Sequence, residues 1–211
     1  MGIRSSFFAA TYNAMTRGIE KAGMAQRRAD LLGDLRGDVL EVGAGTGANL
    51  SYYGQKLDSL TLTDPEAPMV RRLERQVRDR GSVAKVFRAP ADDLPFQDAA
   101  FDAVVSTLVL CTVPDQGGAL GEIRRVLRPG GTLQFVEHVR ADDPKLARMQ
   151  DRMNGLNKIV AYGCNCNRTT LDEIRGAGFD VTDLGHGELT KAPPFLRPLI
   201  FGTASVRLTA C

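Results

Sequence analysis

The chain has few of the features that mark several large classes of protein. Its 211 residues include four cysteines and two histidines, and the formal net charge is +2. A nearly neutral charge argues against a dedicated nucleic-acid surface. The cysteines, at positions 111, 164, 166 and 211, do not form the two spaced pairs of a structural zinc site. We therefore expect reduced thiols, no metal and no nucleic-acid partner.

Long apolar runs are also missing. No stretch approaches the about 20 apolar residues that a membrane-spanning helix requires, and the first residues lack the apolar core of a secretory signal. We expect a cytoplasmic protein with no integral membrane segment. The length suits one globular domain, and no internal repeat, low-complexity tract or linker divides it.

The most informative stretch is residues 39–49, V-L-E-V-G-A-G-T-G-A-N. Its apolar residues predict a buried strand, and Gly43, Gly45 and Gly47 let the backbone turn tightly and approach a bound group. We expect a helix from Thr46 to near Tyr53, with its N-terminal amides directed at the same ligand.

The spacing of these glycines distinguishes between ligands. A dinucleotide-binding loop reads G-x-G-x-x-G, whereas here the third glycine comes one residue earlier. The acidic residue Glu41 stands two residues before the loop. Both features argue against a nicotinamide-dependent reductase, and carboxylates near the loop suit a ligand with a positive charge.

Strand and helix signals alternate from residue 38 to 184. The predicted strands are 38–42, 59–63, 84–88, 101–106, 132–136, 179–184 and 199–208. The alternation predicts an α/β fold, a Rossmann-like, doubly wound, seven-stranded sheet with helices on both faces. The last strand follows a non-helical connection and is expected to be antiparallel.

Asp64 ends the second predicted strand, about 20 residues after the glycine loop. At this spacing and at this edge of the sheet, a carboxylate accepts hydrogen bonds from the hydroxyl groups of a ribose. The alternative role is an N-cap for the following helix. That helix starts near Pro65 and Pro68, and Met69 belongs to its apolar stripe.

These residues resemble the class I S-adenosylmethionine-dependent methyltransferases, whose first motif is E-x-G-x-G-x-G. Residues 89–96, A-P-A-D-D-L-P-F, are similar to the family stretch G-D-A-E-D-L-P-F, and residues 126–131 are similar to its V-L-R-P-G-G. The resemblance implies S-adenosylmethionine as cofactor and S-adenosylhomocysteine as product. The expected cofactor-binding residues are Glu41, Gly43, Ala44, Gly45, Gly47, Asp64, Pro65, Met69, Ala91, Asp92, Thr107 and Leu108.

A narrower resemblance, over residues 38–206, is to the ubiquinone-biosynthesis-like branch and its methyltransferase-like 7 group of thiol methyltransferases. It rests on S-T-L-V-L-C at 106–111, E-H-V at 137–139 and G-C-N at 163–165. It implies a small lipophilic acceptor, with a thiol favoured. A quinone-ring C-methyltransferase and a phospholipid or amine N-methyltransferase stay open as alternatives, and so does a non-catalytic module that only binds the cofactor.

The acceptor side is expected to combine three parts of the chain. Residues 1–37 are interpreted as a helical flap with Tyr12 against the ligand, and residues 38–211 as the methyltransferase domain. His138, at the end of a strand, is the candidate general base. The substrate wall is expected to contain Cys111, Cys164, Asn165 and Arg168. Purely structural roles are alternatives for these residues: a buried apolar Cys111, a self-bonded 163–169 loop, and an Arg168 paired with a carboxylate.

Overall fold

A seven-stranded sheet forms the centre of the computed structural model, which describes residue 18, residues 20–161 and residues 163–207. Residues 1–17 of the predicted flap over residues 1–37, including Tyr12, lie outside the described residues, as does Cys211. The strands are β1 Gly37–Val42, β2 Leu57–Asp64, β3 Lys85–Arg88, β4 Phe101–Thr107, β5 Leu127–His138, β6 Phe179–Glu188 and β7 Pro198–Val206. The α-helices are α1 Ala25–Leu32, α2 Ala67–Asp79, α3 Gln116–Val126, α4 Pro144–Val160 and α5 Thr170–Gly176.

The strand order across the sheet is β3-β2-β1-β4-β5-β7-β6. Strand β7 is antiparallel to both neighbours, β5 and β6, and the pairs among β1 to β5 are parallel. The predicted doubly wound sheet with an antiparallel last strand is therefore confirmed. The order reverses between β1 and β4, which places a ligand crevice beyond the carboxyl ends of these strands.

Apolar residues at helical spacing hold the helices on the sheet. Met69, Leu73 and Val77 are the buried residues of α2, as the four-residue spacing predicts. Helix α3 begins at Gln116, because the side chain of Asp115 caps it by accepting a hydrogen bond from the Gly118 amide at 2.9 Å. Each fully buried aliphatic side chain contributes roughly 1.5–3 kcal/mol.

The sheet is covered on both faces, and β5 shows how. Side chains alternate between the two faces of a strand. Phe135 packs in the large core cluster with Ile123 of α3, whereas its neighbour Val136 packs with Met24 and Leu199 on the other face. The carboxyl end of β5 is therefore held from both sides.

The predicted helix from Thr46 to Tyr53 is wrong, because residues 45–52 form successive turns. Gly45 and Gly47 have φ angles of +58° and +86°, outside the right-handed helical region. The turn amides bond three residues back, as in Gly47 to Ala44 at 2.9 Å and Tyr52 to Asn49 at 2.9 Å. A helix dipole therefore does not contribute at this loop.

The start of β5 also differs from the prediction. Strand β5 begins at Leu127, which pairs with Phe101, so the R-P-G-G stretch lies inside the strand and does not merely precede it. Arg128 forms ion pairs with Asp38 at 2.9 Å and with Asp102, which fixes this end of β5 against β1 and β4. Among the described residues, every helix is too short or too polar to cross a bilayer.

Candidate functional site

Asp64 joins the tip of β2 to the glycine loop that follows β1. Its Oδ2 accepts a hydrogen bond from the Gly45 amide at 3.0 Å, and its Oδ1 accepts one from the Glu66 amide at 2.8 Å. The Ala44 amide donates to the carbonyl of Thr63 at 2.8 Å. Burial raises the pKa of Asp64 to about 6, although the hydrogen bonds from the Glu66 and Gly45 amides oppose this rise. The carboxylate lies at the ligand edge of the sheet, where the sequence places it.

Gly45 is the glycine of the loop that faces open space. A Cβ added to Gly45 would meet only the Gly43 carbonyl oxygen, at 4.0 Å. A Cβ on Gly43 would lie 2.6 Å from Val109, and one on Gly47 would lie 2.7 Å from Leu50. Gly43 and Gly47 therefore serve close packing within the protein, whereas the main chain at Gly45 is open to a ligand.

Glu41 is buried behind the loop, with both carboxylate oxygens bound by protein groups. Asn49 Nδ2 donates to Oε1 at 2.9 Å, and the Tyr53 hydroxyl donates to Oε2 at 2.6 Å. Asn49 Nδ2 also lies 2.8 Å from the Thr107 hydroxyl, which links the loop to β4. Burial raises the pKa of Glu41, and its hydrogen bonds and the nearby Arg28 guanidinium oppose this. The arrangement makes Glu41 a residue that shapes the loop rather than one exposed to a ligand.

Arg28 of α1 completes this network from outside the sheet. Its guanidinium donates to Asn49 Oδ1 and pairs with Glu20 at 3.0 Å. Arg28 is 4% exposed, an unusual degree of burial for an arginine. Sequence reasoning did not identify this residue or Asn49, because their partners lie in other elements.

The loop after β4, residues 108–113, is held by Glu137 of β5. The carboxylate of Glu137 accepts hydrogen bonds from the Ser106 hydroxyl at 2.7 Å and from the amides of Val109, Leu110 and Cys111, each at 3.1 Å. Glu137 is 0% exposed. In the sequence this glutamate stands out only as part of the E-H-V motif at 137–139, which predicts no role for its side chain.

The start of the same loop carries an unusual backbone conformation. Leu108 has a φ of +60°, which an L-residue with a branched side chain adopts rarely. Its amide donates to the Val136 carbonyl at 2.7 Å. Such strained positions are concentrated at ligand sites, and this one lies at the edge where β4 ends.

The four predicted substrate residues do come together, at the contact between the 108–113 loop and residues 163–168. Arg168 donates to the carbonyls of Leu110 and Val113, the latter at 2.8 Å. The Asn165 amide donates to the Cys111 carbonyl at 2.8 Å, and the sulfur atoms of Cys111 and Cys164 are 3.8 Å apart.

These contacts match the structural alternatives given for Cys111 and for the 163–169 loop, but not the one given for Arg168. Arg168 bonds to carbonyl groups instead of the carboxylate that the sequence left open. Contact with the Cys164 thiol, together with burial, raises the pKa of Cys111 well above its ordinary value, which keeps it protonated at neutral pH. The cluster therefore positions the 108–113 loop, and direct contact with an acceptor stays a prediction.

His138 ends β5 at the same edge, as predicted, but its environment weakens it as a base. It is 8% exposed, and its Nδ1 atom has no hydrogen-bond partner among the described residues. Burial lowers its pKa to about 4, and backbone groups of Pro198 and Leu196 only partly oppose this. A neutral imidazole is present at pH 7, with little tendency to take up a proton.

The remaining predicted cofactor-binding residues differ in how far they are exposed. Asp92 is exposed in the turn after β3, whereas Ala91 packs in the core. Met69 is buried in the first turn of α2, and the carbonyl of Pro65 accepts a hydrogen bond from Arg88. Asp92 and Pro65 are thus the exposed members of this group. The described residues contain no group of three or more potential metal ligands.

A cavity of about 430 Å³ lies beside the contact between the 108–113 loop and residues 163–168. Its lining includes Arg140, Arg168, Thr170, His186 and Leu199. Its lining includes Arg168, which bonds to the 108–113 loop, but no residue of the glycine loop. The second histidine, His186, therefore faces a different space from the one that Gly45 faces.

Comparison with known proteins agrees with this geometry. The methyltransferase domain family matches residues 40–135, from β1 to β5. The chain is 33% identical over 170 residues to thiol S-methyltransferase TMT1A of Homo sapiens, covering 79% of this chain and 69% of that protein. It is 34% identical over 128 residues to phosphatidylethanolamine N-methyltransferase of Cereibacter sphaeroides, covering 60% of this chain and 63% of that protein.

A solved structure has the same fold. A SAM-dependent methyltransferase from Thermotoga maritima superposes with a TM-score of 0.66 at 21% identity, covering 96% of this chain and 98% of that one. At this identity the likeness concerns the fold alone.

Proposed function

Because the chain belongs to the class I S-adenosylmethionine-dependent methyltransferases, we propose that it methylates a small lipophilic thiol. The observation that carries this proposal is the buried His138, whose pKa is lowered to about 4. An amine or hydroxyl acceptor must lose a proton to react, so an effective base helps. A thiol with an ordinary pKa of about 8.5 supplies some thiolate without one.

The residues at the crevice fit S-adenosylmethionine. Asp64 would accept hydrogen bonds from the ribose hydroxyls, the open main chain at Gly45 would lie against the ligand, and Asp92 would face the adenine. When bound, the cofactor supplies a methyl group already activated on a sulfonium sulfur. The protein then contributes mainly alignment and a site that excludes water.

The loop of residues 108–113 would provide that alignment. Glu137 holds its amides and Arg168 holds two of its carbonyls, so the loop is fixed from both sides beside the cofactor crevice. We assign it the role of positioning the acceptor near the methyl group. Cys111 supplies a small buried wall, and its raised pKa argues against a role as a nucleophile.

The remaining parts of the proposal concern the rest of the chain. We propose that residues 1–37 cover the site, with Tyr12 against the ligand, and that the protein is cytoplasmic. Similarity to a thiol S-methyltransferase supports a thiol as the methyl acceptor. Similarity to a phosphatidylethanolamine N-methyltransferase makes an amine the main alternative acceptor.

The test is release of S-adenosylhomocysteine with a panel of thiols, amines, phenols and quinols. We expect turnover with thiols, and we expect its pH profile to shift with the acidity of the thiol used, because the acceptor supplies its own thiolate. Because the buried His138 is a poor base, His138→Ala should slow any amine or phenol turnover no more than thiol turnover. Turnover with amines or quinols alone would contradict the thiol assignment. Cofactor binding with no turnover on any acceptor would favour the non-catalytic module.

A further inference from the structure

Helix α4 has its polar and apolar faces reversed relative to an ordinary surface helix. The buried residues of α4 are Ala147, Gln150 and Asn157, so two of these three inward-facing side chains are polar. Gln150 Nε2 donates to the Cys166 carbonyl at 2.7 Å, and Asn157 Nδ2 donates to the Cys164 carbonyl at 2.8 Å. Polar side chains therefore attach α4 to the protein.

The outward face of α4 carries large apolar side chains. Met149, Leu156, Ile159 and Val160 are 44%, 57%, 64% and 61% exposed. They are four of the six large apolar side chains that are exposed in the described part of the chain. The exposed apolar side chains are therefore concentrated on one helix, whose inner face is attached through polar side chains. Such an exposed apolar face is typical of a surface that binds a partner.

The same face is basic. Lys145, Arg148 and Arg152 lie among these apolar residues at three- and four-residue spacing and are exposed. The helix has one acidic residue, Asp151, and it is paired with Arg140 at 2.6 Å. A groove of about 450 Å³ lies between the basic and apolar side chains of the first half of the helix. The face thus combines aliphatic groups with cations that no carboxylate of the helix neutralises.

We propose that this outer face of α4 is a docking surface for an anionic lipid bilayer. A helix that lies in a membrane interface has this composition, with aliphatic residues entering the acyl boundary and Lys and Arg at the headgroups. A second copy of the same face would bring like charges together. The chain's own residues 1–17 contain Arg4 and Arg17 and no acidic residue, so they do not complement the face either.

Docking of α4 on a bilayer would also affect where the proposed acceptor site lies, because the helix contacts residues of that site. Its inner amides hold the chain at residues 163–166, and Asn165 in turn bonds to Cys111. Docking through the outer face would therefore place the acceptor half of the site next to the bilayer, where lipophilic compounds concentrate. The docking surface itself does not depend on which acceptor is methylated.

The test is co-sedimentation of the full chain with vesicles of phosphatidylcholine, with and without phosphatidylglycerol. We expect binding to the anionic vesicles that weakens as salt rises. Arg148→Gln with Arg152→Gln should weaken it about tenfold or more, because each cation near an anionic surface contributes on the order of 1 kcal/mol. The matched control is Arg71→Gln with Arg75→Gln, which removes two exposed arginines at the same spacing from α2.

The apolar half of the surface has its own pair of variants. Ile159→Asp should also weaken vesicle binding about tenfold, whereas Val83→Asp, at a site 94% exposed, should leave it unchanged apart from the small effect of one charge. Failure of the unmodified protein to bind anionic vesicles would overturn the proposal. Equal losses in test and control variants would also overturn it. A dimer in sedimentation velocity that Ile159→Asp dissociates would instead identify the face as an interface between copies.

Discussion

The carboxylate of Asp64 accepts a hydrogen bond from the amide of Gly45 at 3.0 Å, across the tips of the adjacent strands β2 and β1. One contact thus fixes both features that the proposed cofactor site requires. The bond orients the carboxylate, and it holds the loop in a conformation that leaves Gly45 open on its other side. The cofactor crevice is therefore organised by side chain-to-loop bonds, without a helix N-terminus.

Gly45→Val should weaken S-adenosylmethionine binding about tenfold or more, because the added side chain would enter the space left for the ligand. The measurement is isothermal titration calorimetry. Gly81→Val is the control, since Gly81 also has a positive φ, +62°, and open space around its Cα, but lies at the end of α2. Both variants carry backbone strain, so a similar loss of affinity in the two would refute the site assignment.

Cofactor affinity should fall as the pH drops below about 6. Asp64 has a pKa raised to about 6 by burial, and a ribose hydroxyl donates best to the ionised carboxylate. Below the pKa, protonation of Asp64 competes with binding, so affinity should approach a tenfold loss per pH unit. Titrations from pH 8 to pH 5 would measure this, and Asp64→Asn should bind more weakly with a flatter profile. An equally steep profile in Asp64→Asn would show that another group is responsible.

His138 should make the protein less stable in mild acid. Its pKa is about 4 in the folded chain, against an ordinary value of 6.5, so the unfolded chain binds a proton between these values and the folded chain does not. The free energy of unfolding should therefore decrease as the pH falls from 6.5 to 4, by up to about 3 kcal/mol. Urea unfolding at pH 7 and pH 5 should show a smaller loss for His138→Gln than for the unmodified protein. The same loss in both would contradict the buried, neutral imidazole.

Glu137→Ala should destabilise the protein by about 3–5 kcal/mol, because three buried amides of the 108–113 loop lose their acceptor. Ser106→Ala, which removes only the fourth donor to that carboxylate, should cost about 1 kcal/mol. Urea unfolding measures both, and turnover should fall further in Glu137→Ala than in Ser106→Ala. A loss below about 1 kcal/mol in Glu137→Ala would remove its role as the holder of the loop.

Local sequence signals predicted the parts of the fold that depend on local chemistry. Apolar periodicity located α2 and its buried Met69. The end of a strand and the spacing from the glycine loop located Asp64. The helix expected after Gly47 failed because positive φ angles at two glycines favour turns, and the side chains of Asn49 and Tyr53 bond to Glu41 instead of facing solvent.

The contacts that shape the site span long stretches of chain, and periodicity carries no signal for them. Glu137 bonds to amides 26 to 28 residues earlier, and Arg168 reaches carbonyls 55 and 58 residues away. The outer face of α4 was missed for a related reason. Only the tertiary contacts of Gln150 and Asn157 show which side of this helix faces the protein.

The most direct measurement is a crystal structure of the protein with S-adenosylhomocysteine. The account predicts the ribose hydroxyls within hydrogen-bond distance of the Asp64 carboxylate and the main chain at Gly45 against the ligand. A crevice that stays empty at saturating ligand, or a ligand bound instead in the cavity beside His186, would contradict it.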